Sequence, residues 1–567
     1  MKLLTRKISF LMIATVSSWF PLNAQINSGA VTGQTAESRH PNAGSAYVPL
    51  DSWIYPVLDR MASSGVIHEQ FLGLKPWTRL QIAEMLRNAD SSTDAAASGD
   101  DLRMLEALRS EFSAELGNEG AGATTSVRLE SLYTRSTYIS GPPLVDSYHF
   151  GQTIINDFGR PFQQGFNQLN GFSARAESGA FAFYVRGEYQ HAPGAAAYPL
   201  TVRQAIAQAD GNPLQPAVAV ASTDAFRLLD SYASVTLLGN NFSVGKQSLW
   251  WGPNAGDTMI MSDNAEPFYM VRLNRVQPFK LPSILRYLGE FRFDSFFGRL
   301  EGHEFPPAPF MHGEKISFKP TENLEFGFSR TAVFAGQGLT PLTFDTLLHS
   351  YFSVTSGTGP SLNLRNSPGA RHGSFDFSYR VPGLRNWLTL YTDSAAHDDV
   401  SPISAPRRAS INPGIYLSHF PGLSKLDLRA EAVNTDPPTS RSNGGRFIYY
   451  EGFYHDAYTN KGNLLGSWIG REGKGVQGWS TYWLSPMSTI QVSYRNAKVE
   501  DDFIPGGETA NDFAVRPTIR LRPDLEVQGF LQYEAWIAPL LASGRQHSIT
   551  SSIQLTFWPR QTTLERR

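Results

Sequence analysis

From about Thr124 to Trp558 the chain alternates apolar and polar residues with a period of two, and this limits the fold more than any other feature. Phe181, Phe183, Val185 and Tyr189 alternate with Ala182, Tyr184, Arg186, Glu188 and Gln190. Phe375, Phe377, Tyr379 and Val381 alternate with Ser374, Asp376, Ser378 and Arg380. The same grammar recurs around Phe291, Leu426, Ile490, Leu525 and Ile549. Alternation at 180° per residue marks strands with one apolar and one polar face. A soluble sandwich turns the apolar face inward, whereas a membrane barrel turns it outward to lipid and fills its interior with polar side chains. The pattern is identical in both, so other features must separate them.

Three features favour the barrel. The strands run to about 9–11 residues, the length of a tilted membrane strand. Apolar positions often end in aromatics, as in the girdles at membrane interfaces. Short polar turns, at Phe318–Leu324 and Leu521–Leu525, contrast with long connections at Ala192–Ala225, Gly252–Leu288 and Phe334–Arg371. We count roughly 18 or 19 strand candidates, enough for a barrel of porin size. The final strand, Gln546–Trp558, can close against the first and so remove both sheet edges. The expected fold is therefore an all-β transmembrane antiparallel barrel over residues 124–558, followed by a polar tail, 559–567. No uninterrupted apolar run after Gln25 is long enough for a membrane helix.

The beginning of the chain reads differently. Lys2, Arg6 and Lys7 precede an apolar stretch from Ile8 to Phe20, and Pro21-Leu22-Asn23-Ala24 leads to Gln25. That is the layout of a secretory signal peptide cleaved after Ala24. Residues 25–46 are a flexible lead-in rich in Gly, Ser, Ala, Thr and Asn. Residues 47–120 carry three helix patterns and form a small periplasmic bundle. The first is capped by Asp51 or Ser52, carries Trp53, Ile54, Val57, Leu58 and Met61, and closes at Gly65; Pro56 falls in its first turn. The second starts at Thr78 and runs to Asn88; the third spans Gly99 to Leu116, with Leu102, Leu105, Leu108 and Phe112 on one side.

Chemistry leaves few traces. With 49 basic and 51 acidic residues there is no bulk field to draw in nucleic acid, and with no cysteine there is no thiolate metal site or disulfide. Metalloprotease, nucleophile-elbow and phosphate-loop motifs are missing from the sequence. His303, Glu304, His312 and Glu314 lack metal-ligand spacing, and the pairs Asp398-Asp399 and Asp501-Asp502 read as solvated loop acids. No catalytic residue and no cofactor is assigned. The richest segment is Ser248-Leu249-Trp250-Trp251-Gly252-Pro253-Asn254, followed by Met261 to Phe268 and then Arg272 and Arg275. Tryptophans at a strand end can stack on sugar faces, and Asn254, Asp263, Asn264, Arg272 and Arg275 can bond hydroxyl and acidic groups. These seven residues, with Trp250 and Trp251 first, are the candidate polysaccharide contacts; the plain alternative is a structured loop that plugs the lumen.

Two resemblances follow from these motifs. Tyr47-Val48-Pro49-Leu50-Asp51-Ser52-Trp53-Ile54-Tyr55-Pro56, then Trp250-Trp251-Gly252-Pro253, then Ser262-Asp263-Asn264-Ala265-Glu266-Pro267 occur in the order seen in the capsule assembly protein Wzi family. The resemblance marks Asp51, Trp53, Tyr55 and Pro56 as the motif of the helical bundle. It implies an outer-membrane barrel of 18 strands, a periplasmic bundle at its mouth, outer loops that close the pore, and a lectin role towards capsular polysaccharide. Trp53 to Pro56, Gly65 to Ile67 and Thr78 to Leu86 also resemble one S-layer homology repeat, which implies a contact with peptidoglycan or another wall polymer.

The function expected is attachment of exported capsular or extracellular polysaccharide to the cell surface without turnover. Outer-membrane lipid is the second partner, with peptidoglycan or the periplasmic export machinery as further ones. A diffusion porin with a wall-binding segment is the alternative reading, and a surface glycan hydrolase the third.

Overall fold

The computed structural model describes residues 41–68, 71–89, 99–117, 125–353, 367–384, 386–399, 401–420 and 422–559. The expected signal peptide, the lead-in up to residue 40 and the tail from residue 560 lie outside the described residues.

The alternating segments form a closed barrel of 18 antiparallel strands. In chain order these are β1 (Ser126–Ile139), β2 (Gly165–Ser178), β3 (Phe181–Ala192), β4 (Thr223–Leu237), β5 (Asn240–Lys246), β6 (Tyr269–Arg275), β7 (Glu290–Arg299), β8 (Phe310–Thr321) and β9 (Leu324–Phe334). They continue with β10 (Ala370–Arg380), β11 (Leu388–His397), β12 (Ala409–Leu417), β13 (Leu426–Asn434), β14 (Gly473–Ser485), β15 (Ser488–Val499), β16 (Glu508–Arg522), β17 (Leu525–Ile537) and β18 (Gln546–Phe557). Each pairs with its neighbour in sequence, and β18 closes the cylinder on β1, with Leu132 opposite Phe557 and Ile139 opposite Thr550.

Burial along the strands settles which face is which. Phe181, Val244 and Ile553 are 54%, 56% and 61% exposed, while Arg292, Asp294 and Asp376 are 0%, 1% and 1% exposed. Apolar residues face out and charged ones face in, the reverse of a soluble sandwich and the arrangement of a membrane barrel. Inward charges meet opposite charges: Arg272 with Asp294, Arg160 with Glu188, and Lys315 with Asp376. The near-neutral balance of the sequence is in good part this internal pairing.

One expected connection conceals a strand. Gly252–Leu288 contains β6, only seven residues long and carrying Arg272 and Asn274 inward. Its alternation is too brief, and too rich in polar residues, to stand out of the sequence. The true connection is 247–268, and it folds into the lumen.

The helices are α1 (Ile54–Ser64), α2 (Arg79–Asn88), α3 (Gly99–Glu111) and α4 (Ser113–Gly117), all at the short-turn end of the barrel. Of the two expected caps, Ser52 accepts the Ile54 amide on its hydroxyl at 3.4 Å, one residue ahead of Trp53, which provides no side-chain cap. Asp51 instead forms a bidentate pair with Arg186 of β3 at 3.0 and 2.7 Å, a stronger claim on its carboxylate than a backbone N–H. Gly65 closes α1 in the left-handed region at φ 79°, as expected. Thr78 caps α2 in a full capping box with Gln81. The third helix breaks at Phe112 into α3 and α4, and its Leu102 faces solvent while Met104 takes the core position. Trp483 of β14 joins the apolar core of the helices, and Arg60 donates to the Ser424 carbonyl, so the bundle seats inside the barrel mouth. The lead-in is not loose throughout: Ser45 and Ala46 are buried, and the Gly44 amide donates to the Gly179 carbonyl at 2.8 Å.

Candidate functional site

Three layers fill the lumen. The helices close the short-turn mouth. Above them lies the 247–268 segment, with Trp251, Met259, Ile260 and Phe268 buried against Phe296 of β7 and Val333 of β9. Above that, the connection between β13 and β14 folds inward and places Tyr449, Tyr454, Tyr458, Leu465 and Trp468 in the same apolar core.

The barrel wall holds this plug by its backbone. Glu431 of β13 accepts the amides of Ala255 and Gly256 at 2.8 and 3.2 Å. Asp393 of β11 accepts the Met259 amide at 2.7 Å, and Asp230 of β4 accepts the Ser248 amide at 2.8 Å. Glu325 of β9 does the same below, accepting Leu72 and Gly73 at 2.7 and 2.9 Å. An irregular segment in a dry lumen must find partners for its amides, and inward carboxylates supply them. Within the plug, Asp257 accepts the Trp468 amide and the Ser467 hydroxyl, and burial pushes its carboxyl well above the usual range. Burial does the same to Asp263, helped by the nearby Asp230 and Asp51.

At the long-loop end, α5 (Leu200–Asp210) lies across the opening. Its last residue, Asp210, meets His149 at 3.0 Å and pairs with Arg471. The other ring nitrogen of His149 meets Asp146 at 2.8 Å. Burial alone would depress the imidazole, but two carboxylates overcome it and raise His149 to about 10, so the ring is cationic and donates from both nitrogens. Beside it, His455 stacks on Tyr450 and Phe305 with ring centroids 5.5 and 6.3 Å apart. This ladder, α6 (Phe344–Phe352) and the exposed stretch 213–222 form the surface above the plug.

The expected sugar contacts occupy other places. Trp250 is 7% and Trp251 0% exposed; their indole N–H groups donate to the Asn254 carbonyl at 2.9 Å and to Asp294 at 3.2 Å. Asn254 is buried and donates to the Asn412 carbonyl, and Asn264 donates to the Leu464 carbonyl. Asp263 is buried, with its carbonyl accepting the Phe158 amide at 2.7 Å. Arg272 is locked on Asp294 at 2.9 and 2.7 Å. Arg275 stands apart from the rest, at the short-turn rim, with its guanidinium on the Leu238 and Gln277 carbonyls. The tryptophan segment thus builds the plug, and its rings have no face open to a glycan. In the bundle motif, Trp53 is half-buried against the helical core, the Tyr55 hydroxyl donates to the Val48 carbonyl and accepts the Trp77 amide, and Pro56 is exposed. The four histidine and glutamate candidates do not converge: His303 meets the Thr459 carbonyl, while His312 lies between Glu314 and Ser350.

The sequence reading missed the stretch Phe447 to Trp468. Its density of Tyr, Trp and Gly was the available signal, but without alternation it gave no secondary-structure pattern. It also missed His149, Asp210 and Arg471, which lie 61 and 261 residues apart from one to the next.

Comparison with known proteins agrees with this architecture. An uncharacterized 55.8 kDa protein in the cps region of Klebsiella pneumoniae is 25% identical over 178 residues, 31% of this chain and 34% of that protein. The match therefore spans about a third of that relative's length. The structure of Wzi of Escherichia coli, described as an outer membrane protein involved in group 1 capsule assembly and a carbohydrate-binding β-barrel, superimposes with a TM-score of 0.66 at 17% identity. The superposition covers 92% of this chain and 100% of that one. The sequence model of the capsule assembly protein Wzi family matches residues 134–551, from the first strand to the last. A chain whose barrel matches that model almost from end to end belongs to the capsule assembly protein Wzi family.

Proposed function

We propose that this protein is a non-catalytic outer-membrane lectin that holds exported capsular or extracellular polysaccharide at the cell surface. The observation that carries the reading is the filled lumen. Helices, plug and inward loops occupy the barrel from mouth to mouth, so the long-loop surface is what the protein offers to a partner. The short-turn mouth with its helices faces the periplasm, and the long loops face outward. The Wzi of Escherichia coli is described as carbohydrate-binding, and this chain shares its fold and family. Each sugar contact is weak, but a polymer with many repeats engages many copies, and avidity builds retention. The chain is exported by its signal peptide and released after Ala24. The helical segment is the surface for peptidoglycan or the export machinery.

The test compares cell-attached and shed polysaccharide in a strain lacking the gene, with and without complementation. Loss of attachment at unchanged total synthesis, restored by the complementing gene, is the expected result. Unchanged attachment overturns the reading.

A further inference from the structure

The barrel rim is stepped beside β4. On one side of β4, β3 pairs along its whole length, up to Ala192 opposite Thr223. On the other side β5 pairs only with Ser231–Leu237, ending at Lys246 opposite Ser231. Among the described residues no strand covers the outer half of β4, Thr223–Asp230, on that side. Lys246 donates across the gap to the Leu228 carbonyl at 3.3 Å. The period of the strand turns the backbone groups of Phe226 and Asp224 the same way. An uncovered strand edge displays donors and acceptors in a row.

The floor of this notch gathers three cations, while the β4 edge above it carries Asp224, held by His191 at 2.8 Å. Glu266, from the Ser262–Pro267 motif, is met by Lys246, by Arg227 of β4 at 3.2 Å and by Lys461 at 2.8 Å. Lys461 also reaches Glu301 at 3.3 Å. Three cations thus share two carboxylates. Glu266 is buried, whereas the side chains of Arg227 and Lys461 are 30% and 32% exposed. Phe226 and Tyr269 flank the notch with 58% and 51% exposure, and the Lys246 ammonium lies 5.3 Å from the Tyr269 ring. Outward aromatics at strand ends mark the interface level of the membrane.

We infer that the notch between the uncovered edge of β4 and the Glu266–Lys461 floor binds an acidic segment of an extended polysaccharide. Carboxylate groups of the polymer would pair with Arg227 and Lys461, its hydroxyls with the uncovered backbone groups, and a sugar face with Tyr269. The inference rests on the lectin reading and gives it a place and a ligand charge. It also gives Glu266 a role: it gathers the three cations at one point.

The experiment uses the full chain in detergent, with immobilised alginate, the same polymer after carboxyl reduction, and the double variant Arg227→Gln/Lys461→Gln. Both substituted side chains are partly exposed, and native heat-unfolding of the variant is checked alongside. The expected result is at least tenfold tighter binding of alginate than of the reduced polymer by the wild type. That preference is lost in the variant and in high salt, where surface charges are screened. A Tyr269→Trp reporter should shift its emission on alginate but not on reduced polymer. Equal binding by wild type and variant overturns the notch while leaving the lectin reading intact. Binding of lipopolysaccharide micelles with no binding of polymer overturns it in favour of a glycolipid site. A dimer that the variant disrupts overturns it in favour of a second copy. Loss of the lectin reading itself would show instead in the cell-attachment assay.

Discussion

The Trp250 amide donates to the Lys75 carbonyl at 3.1 Å, and the Lys75 amide donates back to the Trp250 carbonyl at the same distance. This one antiparallel bridge joins the plug to the helical segment, between residues far apart in sequence. The two closures of the lumen are therefore one connected body, and opening either requires breaking contacts with the other.

The wild-type protein in planar bilayers should show no large steady channel. A variant that lacks the helical segment, has residues 252–263 replaced by a short Gly-Ser linker and has the β13–β14 connection shortened removes all three layers and should give channels of porin size. Single-channel recording checks both. Large steady conductance from the unaltered protein would contradict a filled lumen.

Arg272 and Asp294 are each fully buried and joined by two bonds at 2.9 and 2.7 Å. Arg272→Met leaves the Asp294 carboxylate without its cation, and removing one partner of a buried pair costs about 3–5 kcal/mol. The double variant Arg272→Met/Asp294→Leu should recover only part of that loss, because Asp294→Leu also takes the acceptor from the buried Trp251 indole N–H, at a cost of about 1–3 kcal/mol. Thermal unfolding followed by heat-dependent electrophoretic mobility reads the difference.

His149 ties α5 to the loop after β1 through Asp210 and Asp146. Its value is raised from the ordinary 6.5 to about 10 by the two carboxylates. A raised cation stabilises the folded state fully below the unfolded value and loses that contribution as pH climbs through the folded one. The α5 lid should therefore remain docked at pH 8 and loosen near pH 10–11. His149→Gln should show loosened docking at pH 8. Hydrogen exchange in residues 200–222 at the two pH values measures this.

The Thr78 hydroxyl accepts the Gln81 backbone amide at 3.2 Å, and the Thr78 backbone amide donates to the Gln81 side-chain carbonyl at 2.8 Å. Thr78→Ala should cost about 1 kcal/mol, as for other N-caps. Because the helices form their own apolar cluster, the loss should show as faster proteolysis of residues 71–89 in the folded barrel, with the heat-unfolding of the barrel little changed.

Local chemistry wrote the wall of this protein into its sequence. Period-two alternation at Phe181–Gln190 or Phe375–Arg380 needs only neighbouring residues to specify a strand and its two faces. The turns at 322–323 and 523–524, the Gly65 stop and the Thr78 start are equally local, and all stand where the sequence places them. What fills the barrel was decided by tertiary structure alone. Whether Trp250 and Trp251 stack on a sugar or lie in a dry core depends on Asp294, 43 residues beyond Trp251, and on Phe296, Glu431 and Leu465, which come from still later in the chain. The step beside β4 likewise arises because β5 ends early and its chain turns inward, where wall carboxylates await its amides. A side chain's type states what it can bond; only the closed cylinder determines which partner reaches it first.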